Sequence, residues 1–168
     1  MKKTLTAILT LLLLFSFTAC GNILRGTDAL IKKARKEIPI SEADTIDMQY
    51  AGEYSINGKA LLWFISGNEY QEHYYYAMEC EAKDDFYKFS RSCKPMERAE
   101  DIALYQWEGG YCFLVNNRDC AAVNITDTYG KTVTFEIKED EYPYICFYEC
   151  ELSEYYFTDI NGDILPER

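Results

Sequence analysis

The heptapeptide Thr132-Val133-Thr134-Phe135-Glu136-Ile137-Lys138 alternates strictly between polar and apolar residues. A period of two sets Val133, Phe135 and Ile137 on one face of a pleated strand, a pattern that no helix satisfies. The chain from about residue 45 onward is punctuated in the same manner. Asn57-Gly58 lies between GEYSI and KALLWFIS and predicts a tight hairpin, because both residues tolerate positive φ. Glu108-Gly109-Gly110 joins IALYQW to YCFLV likewise, and the Tyr- and Phe-rich runs QEHYYYAMEC and DFYKFSR suit a pleated surface. Asp127-Thr128-Tyr129-Gly130 is echoed by Asp159-Ile160-Asn161-Gly162, each at a strand end. In such turns the Asp carboxylate caps its own backbone and Gly takes positive φ, so both read as hairpin tips. The spacing of nine or ten short strands predicts an all-β, antiparallel β-sandwich over 45–168. An immunoglobulin-like arrangement is the first expectation, although no Cys…Trp…Cys spacing marks it.

Ahead of the strands, TDALIKKARKEIP reads as a short helix with Thr27 or Asp28 at its N-cap and Pro39 beyond its end. Leu30, Ile31, Ala34 and Ile38 recur near one face, with cations opposite. The helix either packs on the domain with its charges solvated, which is the expectation, or lies on anionic headgroups. The formal charge is −11 overall. From Cys20 onward it is −13, with +3 in residues 20–37 and −16 in the remainder. A body this acidic is a poor partner for nucleic acid.

The first residues have a different character. Lys2 and Lys3 precede LTAILTLLLLFSF, an apolar run too short to span a bilayer comfortably but matching an export signal. Phe17-Thr18-Ala19-Cys20 resembles the lipobox of bacterial lipoprotein precursors, with Phe17 where Leu is usual. The resemblance implies cleavage between Ala19 and Cys20 and a thioether-linked diacylglycerol on Cys20. Its acyl chains would form a long-lived anchor at about 0.8 kcal/mol per buried CH₂. It further implies a signal peptide over 1–19, an anchored linker and helix over 20–44, and residence on the outer face of the cell membrane. Gly21 lacks the Asp that retains such proteins at the inner membrane of two-membrane cells. Residues 110–165 loosely resemble small β domains of Firmicutes surface lipoproteins.

Six cysteines remain besides Cys20, an even count that suggests disulfides in an exported chain. Cys112 and Cys120 flank a turn at Asn116–Asp119 and are the best candidate pair, facing one another across a hairpin. His73 is the only histidine, and alternation sets it on the face of Tyr75 and opposite Tyr74. No local signature joins it to a Cys nucleophile, no CxxC or HxxxH spacing suggests zinc, and Asp159–Asp163 lacks the Gly and terminal Glu of a calcium loop. No metal or cofactor is expected. Tyr is unusually abundant, at 15 residues, and Tyr74, Tyr75, Tyr76, Trp63 and Trp107 are candidate binding aromatics. The alternative is that Tyr simply forms strands well. The reading that follows is a non-enzymatic, lipid-anchored binding or accessory module for an envelope protein or glycan. A small hydrolase or thiol enzyme using His73 or a free Cys is the alternative, and a structural spacer or assembly subunit is a further one.

Overall fold

The computed structural model describes residues 23–38, 47–67 and 73–166. Cys20 and Ala19, with the signal segment, lie outside them. One helix, α1 (Gly26–Glu37), and twelve strands form among the described residues. The strands are β1 (Ile23–Leu24), β2 (Met48–Ile56), β3 (Lys59–Ser66), β4 (Tyr74–Lys83), β5 (Phe86–Cys93) and β6 (Met96–Ala99). They continue with β7 (Ile102–Trp107), β8 (Gly110–Val115), β9 (Ala122–Asp127), β10 (Thr132–Glu136), β11 (Tyr144–Tyr148) and β12 (Leu152–Thr158).

The all-β antiparallel expectation holds, and the sandwich has three sheets, not two. Their orders are β1-β5-β4-β3-β2, β11-β8-β7-β6 and β10-β9-β12. The first is largely a meander, so the strand order is not that of immunoglobulin domains, whose Greek-key connections cross between two sheets. Three cores stack in series. Leu30, Ala34 and Ile38 of α1 pack on Leu62, Phe64 and Met78 of the five-stranded sheet. Leu61 and Trp63 point the other way, onto Trp107, Cys112, Leu114 and Phe147 of the four-stranded sheet. Phe113, Val115 and Cys146 on that sheet's far face meet Val123, Ile125 and Phe157 of the three-stranded sheet. Strands β3 and β8 are therefore middle-layer strands, buried on both faces.

Local chemistry places the connections. Asn57 (φ 51°) and Gly58 (φ 74°) form the expected tight turn, as do Glu108 (φ 48°) and Gly109 (φ 76°). Lys59 Nζ ties the two tips together at 2.7 Å from both Glu108 carboxylate oxygens. The alternation in β10 is realised: Val133 and Phe135 are half-buried and Ile137 is buried, while Thr132, Thr134 and Glu136 are exposed. The helix packs on the domain as expected, but starts at Gly26 after Arg25, with no side-chain cap from Thr27 or Asp28. Ile23 and Leu24, within the expected linker, form an edge strand on β5. The expected hairpin across Asn116–Asp119 does not form, because β8 pairs with β7 and β11 while β9 pairs with β10 and β12. The chain crosses there from the second sheet to the third.

The Asp…Gly echo is structural as well as sequential. Asp127 Oδ1 accepts the N–H of Tyr129 and of Lys131, both at 2.9 Å. Asp159 Oδ1 accepts those of Asn161 (2.8 Å) and Asp163 (2.9 Å). In each loop the glycine N–H closes on the Asp carbonyl. These backbone donors hold both carboxyls below the ordinary carboxylate range. A depressed folded pKa stabilises the protein above the unfolded value near 4 and loses that contribution as pH falls through the folded one. The wild-type denaturation midpoint should therefore drop on acidification from about pH 5 to 2. The double variant Asp127→Asn/Asp159→Asn keeps an acceptor oxygen without the titration, and its midpoint should drop less; parallel curves would refute the assignment.

Candidate functional site

A polar network of side chains lies where β4 begins. Asp101 occupies the tight turn between β6 and β7 in the left-handed region (φ 56°), which Asp tolerates better than most residues. Its carbonyl accepts the N–H of Asn116 (2.9 Å) and of Asn117 (3.1 Å), just past β8. Its carboxylate Oδ1 accepts the Tyr75 hydroxyl at 2.6 Å and lies 3.0 Å from His73 Nδ1. Asn116 Nδ2 donates to the Tyr75 oxygen at 3.4 Å. One residue thus gathers three elements, and the sequence's only histidine falls on the same side as Tyr75, as the alternation required. A carboxylate only accepts, which assigns the proton facing it to Nδ1 and leaves Nε2 as the open nitrogen. Burial, reinforced by the bond to Asp101, pushes the Tyr75 hydroxyl well above the usual phenol range, so it stays a donor at neutral pH.

His73, Asp101 and Asn116 of this network form one wall of a depression of about 440 Å³, bordered also by Gln49, Asn117 and Arg118. Tyr75 itself lines a second depression of about 330 Å³, together with Ile38, Tyr74, Tyr76, Lys94 and Pro95. The end of the sandwich therefore presents a polar and an apolar hollow, bridged by the hydrogen bond from Tyr75 to Asp101.

The candidate aromatics separate. Tyr74 is 57% exposed and Tyr76 half-buried, whereas Tyr75 is buried. Trp63 (0% exposed) and Trp107 (4%) are core residues between the first two sheets and present no binding surface. Trp63 points inward because both faces of β3 are covered, and its Nε1 donates to Cys112 Sγ at 3.4 Å. The disulfide expected between Cys112 and Cys120 is not formed: Cys112 lies in the core between the first and second sheets, Cys120 in that between the second and third. Cys80, Cys93, Cys112, Cys120, Cys146 and Cys150 are all free thiols. Burial pushes Cys80 and Cys112 up to about 12 and Cys120 to about 11, and raises Cys93 and Cys146. A nucleophilic thiol needs the opposite shift. Cys150 alone is half-exposed. In the folded chain, Cys150 should react promptly with a thiol reagent and the other five only at the unfolding rate; fewer than six free thiols after denaturation would contradict these assignments.

Sequence reasoning named His73 and Tyr75 but missed Asp101 and Asn116, which lie 28 and 41 residues away from their respective partners. Asp101→Ala should cost about 1–3 kcal/mol in denaturant unfolding, because it strands the buried Tyr75 hydroxyl. Unchanged stability would show that the network is incidental. Among the described residues no group of three or more His, Cys, Asp or Glu is arranged to hold a metal ion, and no helix is long and apolar enough to cross a membrane. Comparison with family models, curated proteins and solved structures yields no match to this chain.

Proposed function

We propose that this chain is a lipid-anchored envelope protein that binds a protein or glycan partner, without catalysis, through the end of the sandwich where β4 begins. The anchor is Cys20, on the outer face of the cell membrane, or of the outer membrane where the cell has two; the sequence Phe17-Thr18-Ala19-Cys20 supports it. The observation that carries the binding site is a pair of hollows bridged by the Tyr75–Asp101 hydrogen bond: Asp101 lines the polar one, and Tyr75 lines the apolar one beside exposed Tyr74. Rigid hydrogen-bonding groups beside an exposed aromatic suit a ligand with polar edges and an apolar face. The acidic body argues against nucleic acid as that ligand. Binding of envelope extracts and glycan panels to wild type and to Tyr74→Ala and Arg118→Ala tests this. Both side chains are exposed, so the variants should fold normally and lose most of the captured ligand. Full capture by both would refute the site.

The His73–Asp101 pair favours a second reading, a small hydrolase in which Nε2 acts as general base on water or on a substrate hydroxyl. The buried, protonated thiols do not suit the nucleophile's role. Turnover of an ester or amide panel that vanishes in His73→Ala while Tyr74-dependent binding persists would establish it.

A further inference from the structure

We propose that α1 and the β1–β5 edge form a membrane-apposed face that rests on anionic phospholipid headgroups, with the three-stranded sheet outermost. This orientation rests on the lipid anchor proposed for Cys20, and tether length makes it specific. Ile23 is already fixed in the five-stranded sheet, opposite Lys88 of β5. Cys20 precedes it by three residues, and three extended residues reach about 10–11 Å. An acylated Cys20 thus keeps this edge close to the bilayer, at a distance comparable to the Debye length of about 8 Å in physiological salt.

The same edge carries the molecule's positive charge. Residues 23–38 and 83–94 hold nine Lys and Arg against four Asp and Glu, whereas the rest of the chain is strongly acidic. The helix runs beside β5, with the Arg25 guanidinium 5.5 Å from the Phe86 ring centre and Lys33 Nζ 3.9 Å from that of Phe89. Neighbouring carboxylates neutralise some of these cations: Arg25 pairs with Asp85, Lys33 with Glu37, Lys88 with Glu81 and Arg91 with Glu79. Lys32 and Lys36 on α1, and Lys83 and Lys94 flanking β5, are exposed and make no ion pair with a described residue. Asp28 and Asp84 are the acids that oppose them locally. The apolar stripe of α1 is already buried on the sheet, so the helix does not insert into lipid. Only its cationic side is open, which suits headgroup contact, and repulsion of the acidic remainder favours the same orientation.

Surface labelling of the full chain in its own membranes tests this. A membrane-impermeant amine-acetylating reagent should modify Lys32 and Lys36 at least about fivefold more slowly in membranes than after detergent extraction. Lys131 and Lys138, on the three-stranded sheet's side, should react equally in both. At 1 M NaCl, where the Debye length falls to about 3 Å, the protection should vanish. In Lys32→Glu/Lys36→Glu, Lys83 and Lys94 should label as fast in membranes as in detergent, while the chain still sediments with the membrane. Lys32 and Lys36 reacting equally in membrane and detergent would overturn the orientation, and protection that survives detergent and high salt would overturn it too, since a protein would then be the cover. The mass of the Cys20 peptide from the same sample separates the failures: an acylated Cys20 with unprotected lysines refutes only the orientation, whereas an unmodified Cys20 refutes the anchor and the orientation with it.

Discussion

Trp63→Ala should destabilise the domain by about 3–5 kcal/mol, a large share of the roughly 5–15 kcal/mol available to a domain of this size. Trp63 is wholly buried at the centre of β3, in the core that joins the five-stranded and four-stranded sheets. Its truncation removes the transfer free energy of an indole and opens a cavity between two sheets that β-pairing holds in place, so collapse around it is limited. It also takes the Nε1 donor from Cys112, a thiol with no exposure to solvent. Tyr74→Ala, eleven positions further along but 57% exposed, should change stability by no more than about 0.5 kcal/mol while reducing ligand capture. The pair of variants separates core aromatics from surface ones. Equal, small effects on stability would contradict the burial assigned to Trp63.

Gly110→Ala is expected to be comparably damaging for a different reason. Gly110 opens β8 directly under the end of β11, and a Cβ placed there would run into the Tyr148 carbonyl oxygen, with Phe147 Cζ at 2.7 Å and Glu149 Cα at 2.9 Å. Two of these obstacles are backbone and cannot rotate away, so β11 would have to leave the sheet edge. The smaller unfolded-state entropy of Ala returns only about 0.4–1 kcal/mol, against an overpacking cost of about 3 kcal/mol or more when backbone must move. The adjacent Gly109 supplies the control. It sits at φ 76° with nothing within 4 Å of the point a Cβ would occupy, so Gly109→Ala should cost only the left-handed strain of about 1–2 kcal/mol. A denaturation midpoint for Gly110→Ala as high as that of Gly109→Ala would refute the close approach of β11.

How far the sequence carries depends on whether the signal is local. The stripe Leu30-Ala34-Ile38, the alternation in β10, the tight turns at Asn57-Gly58 and Glu108-Gly109, and the capped Asp127 and Asp159 loops are all written within a few residues, and all are found. The stacking of three sheets was legible in principle. Ala60 to Phe64 and Cys112 to Val115 are unbroken apolar runs, the pattern of strands covered on both faces, and both prove to be middle-layer strands. Trp63 falls inside the first of these runs, and its place in the core follows from the same pattern. The Asn116–Asp119 turn shows the opposite limit. Its residues favour a turn whether the chain doubles back or crosses to another sheet, and what decides is the burial of Cys120, Val123 and Ile125 against Phe113. Asp101 was least accessible of all, one of 28 acidic residues, made distinctive only by the register that brings it to His73 and Tyr75.

Whether this three-sheet domain works on a lipid tether at the cell envelope is read most directly from the mass of its first residues. Protein purified from its own membranes should yield an N-terminal peptide beginning at Cys20, heavier by a thioether-linked diacylglycerol. A chain that begins at Met1, or a Cys20 recovered as a free thiol, would contradict the tether.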